Sequence, residues 1–144
     1  MIRSISCLND GNLLAIITYA EVLIVEIESK QVVKIIKRAA SAKLIVVIPN
    51  QPYIIIHFSD NFAILYDTHN FEQVYILMGM PNDHQGIKPS ENGQFLLYGS
   101  SRGPIQLWNI STCSIEFISN KVKSFNTYEI NHDGSELYFG TYQG

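Results

Sequence analysis

The chain has 144 residues, of which 47% are hydrophobic and 16% charged, enough apolar material for one domain with a sizeable core and too much for a disordered segment. Its formal charge is −3 and its 10 basic residues are scattered along the sequence, so the basic footprint of a nucleic-acid binder is missing. The longest apolar zone, Leu44 to Phe58, is interrupted by Pro49-Asn50-Gln51-Pro52, and the N-terminal MIRSISCLNDG turns polar too early for a signal peptide, so neither a membrane span nor a leader is expected.

From the N-terminus, a first unit offers Arg3 to Leu8, Leu13 to Tyr19, Glu21 to Ile27 and Gln31 to Ile36 as four successive strands. The basic stretch Ile36-Lys37-Arg38-Ala39-Ala40-Ser41 leads to a second unit with strands Leu44 to Ile48, Tyr53 to Phe58, Phe62 to Tyr66 and Gln73 to Leu77. A third follows with a short Gln85 to Lys88, then Phe95 to Gly99, Pro104 to Trp108 and Ser114 to Ile118; a fourth holds Ser124 to Ile130 and Glu136 to Gly140. Enrichment in β-branched and aromatic residues favours strands over short helices of equal apolarity, and no helical period is sustained.

The inner runs LLAII, LIVVI, YIII and FLLY are continuously apolar, which predicts burial on both faces, whereas Ser114-Ile115-Glu116-Phe117-Ile118 alternates as an outer strand facing water should. Ser59-Asp60-Asn61, Ser100-Ser101-Arg102-Gly103 and Thr141-Tyr142-Gln143-Gly144 supply residues that tolerate the positive φ of tight hairpins.

These units keep one rhythm. A turn signal precedes the second strand of each at Asp10-Gly11-Asn12, Asn50-Gln51-Pro52, Asn92-Gly93-Gln94 and Asp133-Gly134-Ser135, with spacings of 40, 42 and 41 residues between the central positions. A second marker, an apolar or aromatic residue followed by a polar one, recurs at Val25-Glu26, Tyr66-Asp67 and Trp108-Asn109, spaced 41 and then 42. A period of about 40–45 residues is that of a four-stranded propeller blade. The expected fold class is therefore all-β, built of four-stranded antiparallel meanders, with blades at 1–40, 41–79 and 80–120 and a partial blade at 121–144. In that arrangement Leu13, Tyr53, Phe95 and Leu137 should occupy like environments. A small β-sandwich is the rival fold, and Greek-key crossings would distinguish it.

With those residues in view the chain resembles the divergent WD-repeat β-propeller family. The likeness is clearest in Asn92-Gly93 through FLLYGSSRGPIQLWNIST and in Ile130-Asn131-His132-Asp133-Gly134 through ELYFGTYQG, which look like the family's turn before the second strand, its small-residue strand end and its Trp-polar dipeptide. The family's Gly-His dipeptide is absent, and Val25-Glu26, Tyr66-Asp67 and Trp108-Asn109 stand in for Trp-Asp. The resemblance implies a non-enzymatic scaffold for protein–protein contacts and the N-terminal part or a fragment of a longer propeller, or chains that complete a ring between them by self-association through the open blade edge. The alternative is an enzymatic propeller of the lactonase or quinoprotein-like kind, which needs acidic or His side chains converging on an axis.

No catalytic, cofactor-binding or metal-ligating residue is singled out. His57, His69, His84 and His132 lack ligand spacing and read as packed or loop residues, and Asp60, Asp67, Asp83 and Asp133 fall in turns, where Asp closes the backbone. Cys7 and Cys113 are isolated, which fits a cytoplasmic setting with neither disulfide nor zinc. Arg38-Ala39-Ala40-Ser41 has the pattern of a basophilic kinase site and Asn109-Ile110-Ser111 that of a glycosylation acceptor, but both read as structural. Tyr19, Phe71 and Tyr142, at or near turns, are candidate contact aromatics, with covering of apolar blade edges the favoured reading for most of them.

Overall fold

The computed structural model describes residues 1–8, 11–77, 84–100, 104–120 and 125–141, without the side chains of residues 84, 85 and 100. Expectations placed on Asp10, Asp83, Ser101-Arg102-Gly103, Ser124 and Tyr142-Gln143-Gly144, and on the side chain of His84, lie outside the described residues.

The chain divides into two compact units, Met1–Met80 and Pro81–Gly144. In the first, β1 (Ile2–Cys7), β2 (Leu13–Thr18), β3 (Glu21–Glu26) and β4 (Val32–Lys37) pair in consecutive order, as do β5 (Ala42–Val47), β6 (Tyr53–Phe58), β7 (Ala63–Asp67) and β8 (Gln73–Leu77). In the second, β9 (His84–Pro89), β10 (Phe95–Ser100), β11 (Ile105–Asn109) and β12 (Ser114–Ser119) form a third such sheet, and β13 (Phe125–Ile130) pairs with β14 (Leu137–Thr141). Every pairing among the described residues is antiparallel between neighbours in sequence, so the fold is three four-stranded meanders of the propeller-blade kind followed by a two-stranded hairpin. Greek-key crossings are absent among the described residues, which removes the sandwich alternative.

The turn signals close the first hairpin of each sheet in one way. Gly11, Gln51, Gly93 and Gly134 each donate their backbone N–H to the carbonyl three residues back, on Leu8, Ile48, Ser90 and Asn131. Gly11, Gly93 and Gly134 take positive φ there; in the second sheet glutamine occupies the glycine position, and the left-handed residue moves back to Asn50. In the second unit side chains reinforce the turn: Ser90 Oγ accepts from Phe95 N at 3.0 Å, and Asn131 Oδ1 from Glu136 N at 3.0 Å.

Leu13, Tyr53, Phe95 and Leu137 are all half-buried. Hydrogen bonding nevertheless shifts the last correspondence by one residue, because Leu8, Ile48, Ser90 and Asn131 donate to the carbonyls of Leu13, Tyr53, Phe95 and Glu136. Leu137 instead pairs as Leu14, Ile54 and Leu96 do. Sequence matching by apolarity missed this because the first strand position is partly exposed and accepts a glutamate.

In the first unit, Ala15, Ile17, Val22, Ile24 and Ile36 pack against Ile45, Ile54, Ile56, Ile64 and Tyr66 as one core. In the second, Leu97, Ile105 and Leu107 pack against Phe125, Tyr128 and Ile130. Each buried Val, Leu, Ile or Phe among them contributes about 1.5–3 kcal/mol by leaving water. Burial on both faces holds for β6, where Ile54 through Phe58 are all buried, and for β7. It does not hold for β2, which buries Ala15 and Ile17 and leaves Leu14 and Ile16 half-exposed on the opposite face. Nor does β12 alternate: its first five residues are all exposed, because an edge strand lies beyond the cover of its neighbours.

Candidate functional site

The motifs that attracted attention in the sequence are spent on the fold. Asp67 Oδ1 accepts the backbone N–H of His69 at 2.7 Å and its ring Nδ1 at 3.1 Å, and these bonds hold the carboxyl below its usual range. Asn109 Oδ1 accepts from Ser111 N, Ser111 Oγ and Thr112 N, while its Nδ2 donates to Glu116. The polar member of the aromatic-polar dipeptide thus caps the turn after the third strand, and the acceptor-like Asn109 is committed to that turn. Asp133 likewise accepts from Ser135 N and Oγ, bonds that lower its pKa. Arg38, which a kinase would have to read, is forked onto Asp60 Oδ2 at 3.0 and 2.9 Å and lies over the Phe58 and Phe62 rings.

His57 is buried within β6, His69 and His132 sit in turns beside Asp67 and Glu91, and Cys7 and Cys113 carry free thiols. Among the described residues no three His, Cys, Asp or Glu side chains are placed to hold a metal ion. No helix among them is long and apolar enough to cross a membrane.

Tyr128 is the buried polar group that periodicity concealed. Its hydroxyl donates to the Gly86 carbonyl and accepts the Gly99 N–H at 3.2 Å, filling the bulge where β9 and β10 lose register. Burial pushes its pKa up to about 12, with the Gly99 bond opposing and nearby Glu129 adding to the rise. The equivalent strand positions hold Ile5, Ile45 and Ile87, so nothing in the repeat pattern marked it.

The exposed surface includes a set of large apolar side chains. Across the first sheet Ile5, Ile16, Leu23 and Ile35 pair in one row, with Ile5 54% and Ile35 46% exposed. The same row in the second sheet, Ile45, Ile56, Ile64 and Ile76, is packed into the core of the first unit. Outer strands add Val32 and Val33 on β4, Val74 and Tyr75 on β8, and Ile115, Phe117 and Ile118 on β12. Tyr138 on β14 is also exposed, and among the described residues that strand pairs with β13 alone. Tyr19 is exposed as expected, but Phe71 is a correction: it takes a φ of 57° and turns its ring into the core of the first unit. Phe117 and Tyr138 escaped notice because strand positions of unknown facing say nothing of exposure.

A scan against protein-family models finds no match, and no curated protein matches the sequence significantly.

Proposed function

We propose that the chain is a divergent WD-repeat-like scaffold that binds other proteins through the uncovered apolar surface of its sheets, in a cytoplasmic setting. The observation that carries this reading is the row Ile5-Ile16-Leu23-Ile35, a copy of a row that the protein elsewhere covers with a second sheet, left open to water at both ends. Contiguous exposed apolar surface of this kind marks interaction sites. Free thiols at Cys7 and Cys113 suit a reducing compartment. Self-association through the edge of β14 that no described strand pairs belongs to the same reading, since an open edge offers a row of backbone donors and acceptors.

Light scattering and crosslinking of the whole chain test it, with Ile5→Glu/Ile35→Glu as the comparison. The expected result is a wild-type chain that associates, with itself or with a captured protein, through crosslinks on β1 to β4 that the double variant loses. An equally extensive crosslink pattern in the double variant, with native circular dichroism, counts against the reading.

A further inference from the structure

The cations that look scattered along the sequence are sorted by the fold of the first unit. In an antiparallel meander the first strand begins, the second and third strands turn, and the fourth strand ends at one and the same end. That end of the first unit carries Arg3 near the start of β1, Lys37 and Arg38 at the close of β4, and Lys43 near the start of β5, against the carboxylates Glu21 and Asp60. The opposite end carries Glu26, Glu28, Asp67 and Glu72 with Lys30, and Lys34 on β4 reaches Glu72 there at 3.4 Å. The Arg38–Asp60 bond, which joins the end of β4 to the turn after β6, ties both sheets to the same polarity.

Arg3 and Lys43 occupy matching places. Each is the residue skipped in the register between its sheet's first two strands, and each is exposed. Lys37 faces Glu21 at 3.3 Å and Arg38 is held by Asp60, whereas Arg3 lies 4.3 Å over the exposed Tyr19 ring, with no carboxylate in ion-pair distance among the described residues. Stacking of this kind preorganises the planar fork for a carboxylate. Ile2 and Tyr19 add exposed apolar surface beside it.

We infer that this end of the first unit docks an acidic polypeptide segment, with Arg3 receiving a carboxylate, Lys43 adding to the local positive charge and Tyr19 receiving an adjoining apolar side chain. The assignment rests on the binding reading above and names a partner chemistry for it. A peptide fits better than a polyanion, because Glu21 and Asp60 interrupt the positive field that a continuous row of phosphates needs.

Fluorescence anisotropy of the whole chain with a fluorescein-labelled acidic peptide, and with its counterpart bearing glutamine at every glutamate, tests the inference. The acidic peptide should bind, lose affinity as salt rises, and bind Arg3→Glu/Lys43→Glu about tenfold more weakly or worse, while Lys30→Glu at the opposite end leaves it unchanged. Equal binding of the glutamine counterpart, unchanged affinity in the doubly reversed chain, or tighter binding of single-stranded RNA or phosphatidylserine vesicles overturns it. Because Ile5 and Ile35 are not altered, loss of this result with association through their row intact sinks the inference alone.

Discussion

At the scale of single residues, the glycines of the hairpin turns separate conformational need from spatial need. Gly134 combines both: its φ is 80°, and an added Cβ would lie 2.4 Å from the Phe95 ring. Gly134→Ala is therefore expected to cost about 2–4 kcal/mol in urea unfolding, against little for Gly11→Asn, whose turn has open space around it and a φ of 69° that asparagine tolerates. Tyr128→Phe should cost about 1–3 kcal/mol, since it removes the hydroxyl that accepts from the buried Gly99 N–H and donates to the Gly86 carbonyl. The same residue sets an alkaline limit. Its native pKa lies above its unfolded value, so its contribution is complete below about pH 10 and is lost as pH rises toward about 12. A stability–pH profile should fall over that window in the wild type and lose that component in Tyr128→Phe.

At the scale of elements, the repeat is written in irregularities as much as in strands. The first two strands of each sheet lose register near Arg3, Lys43, Gly86 and Asn126, and the last two near Val33, Val74 and Glu116. The turn after the third strand places Lys30, Phe71 and Cys113, spaced 41 and 42, in the left-handed region. One conformation then predicts opposite outcomes. Lys30→Gly should be neutral or stabilising by up to about 1 kcal/mol, because an exposed lysine gives up only backbone strain. Phe71→Gly should cost about 3–5 kcal/mol, because its ring is part of the core. Thermal melts of the two variants check the contrast. None of these bulges shows in the sequence, since no one residue type marks the skipped positions in every sheet, Glu116 standing where the other two have Val33 and Val74; the strands they interrupt were legible to within two residues at each end.

At the scale of the whole molecule, stability should grade from the doubly buried strands outward. Amide hydrogen exchange is expected to be slowest in β6 and β7 and fastest in β4 and β12, whose residues are largely exposed; uniform protection across these strands would contradict the packing described. The sequence by itself determined the strands, their order and their rhythm. Alternating apolar runs and turn residues act locally, so a period near 41 survives in the chain whatever the sheets later touch. It left the exposed apolar faces unread. Which face of a sheet meets another, whether Phe71 points inward, that Arg3 and Lys43 come to one end while Glu26 and Asp67 go to the other, and that a tyrosine fills a bulge where its counterparts are isoleucines were decided by tertiary structure. Burial and charge proximity are properties of residues distant in sequence, and only packing of the sheets brings those residues together.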